Sequence, residues 1–382
     1  MTDINRPLGQ SAPRRAERVR SLPSAGALSL TVAALAMVGL STAIALRDRP
    51  YRTPVTIAAP EPEAPAEVAA ASDATSGPTE RKPSEGPSII RVNPDGSGTG
   101  NVVVIRDPSA VGQDLRVAHL PDRALIEESE NGPLPIRAAD GRRPFDVYAR
   151  AWSGARGARV AIVIGGLGVS QTSTQAAIGK LPPEVTLAFA SGGNSLTRWM
   201  QAARQEGHEI VMQVPLEPFD YPTVDPGRNT LTVEADAEEN LDHLRWALSR
   251  ITNYTGIMNY MGARFTADAN AMQPVVDELG KRGLLYLDDG SSARSTAAEL
   301  ALKAGVPFAA SDAAIDAQRD KGAILAKLDE LERIARAKGF ALGTGSAFDV
   351  TVDAVVSWTA EAKKRGIEIV PVSAIANDPE RR

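Results

Sequence analysis

The chain has 382 residues, enough for two or three average domains or for one barrel with accessories. Its formal net charge of −5 gives no global electrostatic support to a nucleic-acid-binding surface. Cysteine is absent, which excludes disulfides, thiol catalysis and thiolate metal sites, and three histidines (His119, His208 and His243) are too few for a histidine-rich metal centre.

Residues 1–24 carry Arg14, Arg15, Arg18 and Arg20, offset only by Glu17, and residues 25–46 read AGALSLTVAALAMVGLSTAIAL, 22 residues without a charge. At about 1.5 Å per residue, such a run crosses a hydrocarbon core of roughly 30 Å. Positive residues stay on the cytoplasmic side, so the pattern predicts a transmembrane signal anchor over 25–46, a cytoplasmic tail over 1–24 and an exported C-terminal bulk. A cleaved signal peptide is the alternative, because AIA at 43–45 is a small-x-small site. A signal-peptide core is usually shorter, about 7–15 residues. Residues 47–88 are dense in Pro, Ala, Glu and Ser and cannot bury enough apolar surface to offset chain entropy. They read as a disordered, semi-extended tether. Residues 89–150 read as a weakly structured prefix, with a short strand at NVVVIRDP and an extended, partly docked approach from GPLPIRAADG to the main domain.

From Arg159 the pattern becomes one of alternating strands and helices. Buried-strand runs occur at 160–164, 185–189, 209–214, 256–259, 283–288, 306–310, 340–344 and 366–372. Amphipathic helical stretches such as 194–207, 237–251, 269–283 and 322–339 lie between them, with apolar residues recurring at three and four. Several end in a glycine that caps a helix and returns the chain to a strand, among them Gly283 and Gly339. Short, continuous apolar strands are those of a parallel sheet buried on both faces. The expected fold is α/β, a distorted (β/α) barrel of about seven strands spanning 151–376 with a tail at 377–382, and an open doubly wound sheet is the alternative.

In either architecture a site lies beyond the C-terminal ends of the strands. IGGLGVSQ after the first main strand is not a dinucleotide loop, because Gln171 stands where the third glycine belongs and no acid ends the second strand. No P-loop is present, so no nucleotide is expected. Glu217, Asp288, Asp289 and Asp312 follow strand ends, where a carboxylate serves as a general base or metal ligand, or else as a helix cap or salt-bridge partner, for example to Arg264. His208 precedes its strand and so lies at the opposite end, and no histidine is placed for a Ser-His-Asp arrangement.

The motifs AIVIGGLG, GHEIVMQVPLEP, GIMNYMGARFT, GLLYLDDGSSARS, AGVPFAASDAAID, GFALGTGSAFDVT and GIEIVPVS, in this order between Arg159 and Ser373, resemble the divergent polysaccharide deacetylase family of exported bacterial proteins. That resemblance implies a deacetylase-like barrel in which acids and histidines hold a divalent metal. The metal would lower the pKa of a bound water to about 7 for attack on an N-acetyl group. The family's I-D-D-x-G has Gly165 and Gly166 at its two acids here. Its strand-end histidines are replaced by Gln213, Tyr260 and Thr344. Glycine has no side chain to offer, and Gln and Tyr are poor zinc ligands.

Gly165, Gly166, Gln213, Tyr260 and Thr344 are therefore read as degenerate metal positions, with no metal and no cofactor expected. Gln213, Glu217, Asn259, Tyr260, Arg264, Asp288 and Asp289 are read as the wall of a ligand groove. The expected function is a membrane-anchored periplasmic member of the family, single-pass in the bacterial inner membrane, that binds an envelope glycan or a periplasmic protein partner without catalysis. The alternative is an active hydrolase with a relocated divalent-cation site built from Glu217, Asp288, Asp289 and Asp312.

Overall fold

The apolar runs that begin at Arg159 are too short for helices and are separated by capped amphipathic stretches, a pattern that builds parallel strands with helices returning outside them. A computed structural model describes residues 116–381. The tail, signal anchor and tether expected over 1–88, and the prefix up to residue 115, lie outside the described residues. Among the described residues no helix is long and apolar enough to cross a membrane.

An antiparallel hairpin comes first, β1 (Ile126–Ser129) with β2 (Gly132–Pro135), followed by a one-turn helix α1 (Pro144–Val147). The main sheet consists of β3 (Arg159–Leu167), β4 (Thr186–Ala190), β5 (Ile210–Leu216), β6 (Gly256–Met261), β7 (Leu285–Asp288), β8 (Phe308–Ala310), β9 (Ala313–Ala314), β10 (Phe340–Ser346) and β11 (Glu368–Val370). All of its ladders are parallel, in the order β8-β7-β6-β5-β4-β3-β10-β9, with β11 on the first half of β3. The helices between them are α2 (Gln171–Lys180), α3 (Leu196–Gln205), α4 (Ala237–Leu248), α5 (Ala269–Arg282), α6 (Ala297–Ala304), α7 (Lys321–Lys338) and α8 (Asp349–Lys364). Side chains of Asp236, Asp268 and Asp320 accept the free N–H groups at the starts of α4, α5 and α7, and Gly283 and Gly339 end α5 and α7 at φ 68 and 93.

The sheet curls until its two edges meet in one stretch of chain. The Ser311 N–H donates to the Asp288 carbonyl on the β7 side at 2.9 Å, and the Asp312 N–H donates to the Leu342 carbonyl on the β10 side at 2.8 Å. The architecture is a curled parallel sheet with helices packed outside it. Its nine strands exceed the expected count of about seven, because β9 is a two-residue pairing too short to read and β8 and β9 divide one run between two partners.

Alternation sorts the strand residues into two cores. Val163, Ala188, Val211, Met258, Leu287, Ala309 and Leu342 share the interior of the curl. Ile162, Leu187, Met212, Ile257, Tyr286 and Ala341 face the helices. The base of the curl is plugged by Phe145, Val372 and Ile375.

The expectation of a weakly structured prefix is corrected for residues 116–150. Leu125, Phe145 and Tyr148 are buried there. Arg143 makes a buried ion pair with Asp378 at 2.6 Å. The buried Glu209 carboxylate accepts the Arg150 N–H at 2.9 Å, the Ser373 N–H at 3.0 Å and the Ser373 hydroxyl at 2.5 Å, joining prefix, strand and C-terminal segment at one point.

Close approach of β6 and β7 depends on Gly256, where an added Cβ would overlap the Leu285 carbonyl oxygen and side chain. Gly256→Ala is expected to cost about 1–3 kcal/mol, read as a fall in the urea midpoint. Gly179→Ala, in α2 with open space around it, is expected instead to raise stability by roughly 0.5–1 kcal/mol. Unchanged midpoints for Gly256→Ala would refute the constraint.

Candidate ligand-binding groove

Two residues beyond the inner-core positions Val163, Val211, Met258, Leu287 and Leu342 stand Gly165, Gln213, Tyr260, Asp289 and Thr344. Side chains repeat their direction every second residue along a strand, so these five share the interior face at the C-terminal end of the sheet. They line one groove of about 850 Å³. Small residues such as Ser191, Gly192 and Ser346 make up much of the remaining wall.

Gln213 forms the floor and is only 6% exposed. Its Oε1 accepts the Gly166 N–H at 2.7 Å, which orients the amide and leaves Nε2 without a protein acceptor among the described residues. A Cβ on Gly165 would lie 2.6 Å from that Nε2, so the glutamine amide occupies the space that a side chain at 165 would take. Gly166 has φ 76 and lies where the β3–β4 register shifts between Ile164 and Leu167. An aspartate there would be held in the left-handed region. The Thr344 hydroxyl shares a hydrogen bond with Ser311 Oγ at 3.1 Å, and the Tyr260 ring stands 42% exposed on the wall.

These residues do not fit the divalent ion that the family resemblance implies. Two of the positions have no side chain, the glutamine oxygen is engaged by a backbone N–H, and the threonine hydroxyl is shared with a serine. Among the described residues no group of three or more His, Cys, Asp or Glu side chains is placed to hold a metal ion.

The expected groove wall is corrected at four positions. Glu217 is buried behind the rim, where its carboxylate accepts the Val233 N–H at 2.6 Å and pairs with Arg264. Arg264 reaches on to Glu234 at 2.7 Å. Asn259 is fully buried and ties the strand ends together, donating to the Met261 carbonyl at 2.7 Å and accepting the Asp289 N–H at 2.9 Å. Asp288 faces away from the groove and accepts the Ser295 hydroxyl at 2.5 Å and the Gly290 N–H at 2.9 Å.

The alternative carboxylate metal site also fails to assemble. Asp312 reaches the groove, but its carboxylate is held by Lys338 at 2.5 Å and by the Leu342 N–H at 2.8 Å. Glu217, Asp288, Asp289 and Asp312 are each engaged by separate local partners. His208 lies at the opposite end, as expected, with its ring nitrogens 2.9 and 3.2 Å from the Val185 and Ile178 carbonyl oxygens.

The groove residues not anticipated from sequence include Arg228, Phe348 and Val169. Arg228 belongs to the long loop between β5 and α4, whose length after a strand end is the signal that could have found it.

Asp289 is the groove carboxylate with the least compensation. Burial, with the Asp288 charge adding, pushes its carboxyl above the ordinary aspartate range, although the Ser291 N–H donates to it at 2.8 Å. A raised folded-state pKa means that the ionised side chain opposes folding, a cost absent below the unfolded pKa of about 3.9 and complete above the folded one. Asp289→Asn is therefore expected to raise the thermal midpoint at neutral pH, with the difference from wild type closing below about pH 4. A midpoint that falls at neutral pH would contradict this.

Comparison with known proteins places these positions in a family. The model of the divergent polysaccharide deacetylase domain matches residues 162–376. The chain is 23% identical over 200 residues to the uncharacterized protein YibQ of Escherichia coli (strain K12), covering 52% of this chain and 62% of that protein. It is 28% identical over 148 residues to an uncharacterized protein of Haemophilus influenzae, covering 39% of this chain and 52% of that one. The chain thus spans less than two thirds of the length of either relative. Among solved structures it is similar to the uncharacterized protein ATU2773 from Agrobacterium tumefaciens C58, at 56% identity and a TM-score of 0.63, over 64% of this chain and 99% of that one. With more than half of its length matched, including the whole curled sheet above its first few residues, this chain belongs to the divergent polysaccharide deacetylase family.

Proposed function

We propose that this protein binds an envelope glycan in the groove without hydrolysing it, as a membrane-anchored periplasmic member of its family whose catalytic centre has been lost. One observation carries the reading. Gly165, Gln213, Tyr260 and Thr344 converge on one groove, and the Gln213 amide fills the space above Gly165 that a metal-binding acid would need. The groove keeps the size and lining of a saccharide site, with small polar residues around one exposed flat ring at Tyr260. The uncharged run at 25–46, with arginines before it, supports a single-pass anchor in the bacterial inner membrane and a periplasmic domain.

The test uses the purified full-length chain. It is incubated with zinc, cobalt or manganese and acetylated glycans, and no acetate release above the buffer control is expected. In parallel, peptidoglycan fragments, chitooligosaccharides and de-N-acetylated chitooligosaccharides are screened by thermal shift. A ligand at about 100 times its Kd adds about 2.7 kcal/mol. At roughly 2–4 °C per kcal/mol that is a rise of about 5–10 °C, which Tyr260→Ala should abolish. Metal-dependent acetate release, or no shift with any of these glycans, overturns the reading.

A further inference from the structure

We infer that the groove selects glycans bearing a free amine, with the Asp289 carboxylate receiving the ammonium group. This rests on the glycan-binding reading above and names the class of sugar that the groove prefers.

Asp289 and Tyr260 are neighbours by register. Met258 pairs with Leu287 across β6 and β7, and two residues further along the same face come Tyr260 and Asp289, on strands about 4.8 Å apart. A pyranose stacked on the Tyr260 ring therefore presents its ring substituents beside the carboxylate. Asp289 is held in place from both sides, its N–H by Asn259 Oδ1 at 2.9 Å and its Oδ1 by the Ser291 N–H at 2.8 Å.

No protein cation answers this charge. Among the described residues neither Asp289 nor the adjacent Asp288 has a salt-bridge partner, whereas Glu217 pairs with Arg264 and Asp312 with Lys338. The arginines of the surrounding loops are directed onto aromatic faces: Arg228 over Trp246, Arg294 over Phe219 and Arg319 over Phe348. The floor adds a second unanswered group, Gln213 Nε2, on a side chain more than nine-tenths buried and lining the same groove.

A hexosamine matches both. Its ammonium donates a charge-assisted hydrogen bond to Asp289, and a hydroxyl oxygen accepts from Gln213 Nε2. An acetamido sugar brings no positive charge, and its methyl group would lie against the carboxylate. Free sugar amines of this kind arise when water cleaves the amide C–N bond of an acetamido sugar, releasing acetate and leaving the amine with a proton. The preferred ligand is thus the product of an N-deacetylation carried out elsewhere.

The test titrates the full-length chain at about pH 6, where the sugar amine is protonated, with glucosamine tetramer, N-acetylglucosamine tetramer and trilysine, by calorimetry. The glucosamine tetramer should bind about tenfold or more tighter than its acetylated form. Added salt should narrow the gap. Asp289→Asn should abolish the preference while its thermal midpoint shows that it is folded, and Tyr260→Ala should weaken both sugars. Equal or tighter binding of the acetylated tetramer, or a preference kept by Asp289→Asn, overturns the inference and leaves the glycan-binding reading standing. Trilysine binding as tightly as the amino sugar overturns it in favour of a basic peptide. Failure of both sugars to bind counts against the glycan-binding reading itself.

Discussion

Curling a parallel sheet until residues 308–314 contact both of its edges leaves a narrow interior, and every second residue of every strand must fit inside it. At the base that interior is filled by Phe145, Val372, Ile375 and the aliphatic side chains of the strands. At the C-terminal end the same rows continue with glycine, glutamine, tyrosine, aspartate and threonine, and the filling stops. The groove is therefore not an addition to the fold. It is what remains when the inward rows change from large apolar residues to small or polar ones.

Within that frame the positions at which the family resemblance implies metal ligands are packed against one another. Gly165 leaves a space, and the Gln213 amide lies across it and is locked by the Gly166 N–H. The positive φ of Gly166 then makes the bulge of β3 a backbone shape that suits glycine better than aspartate. Glu217, Asn259 and Asp288 work behind the rim as braces that hold strand ends and loops in register. Their hydrogen bonds hold the shape of the mouth.

Much of this was legible in the residues. The strand runs, the helix caps at Asp236, Asp268 and Asp320, and the glycines ending α5 and α7 all follow local rules. The errors concern direction. Asp288 and Asn259 were expected in the groove because they end strands, but alternation through Leu287 and Met258 turns each of them away and leaves Asp289 and Tyr260, expected beside them, on its wall. The Glu217–Arg264 pairing was among the readings of the sequence, but period alone could not place Glu217 behind the rim, since its other partner, Val233, comes from a loop that returns through tertiary contacts. The docking of residues 116–150 was legible only in part, for the same reason. Arg143 meets Asp378 across 235 positions of chain, and no local pattern announces such a pairing.

The described chain enters at the base of the sheet. The Ala118 carbonyl accepts from Asn253 at 2.7 Å and from Arg204 at 3.4 Å, residues that lie just before β6 and near the end of α3, opposite the groove. Any mechanical load arriving from the N-terminal side is thus delivered to the base and passes through Ala118 into the helix and loop there. The mouth lies at the far end of the strands, outside that line of force. Strain at Ala118 would therefore be taken up at the base before it reached the mouth.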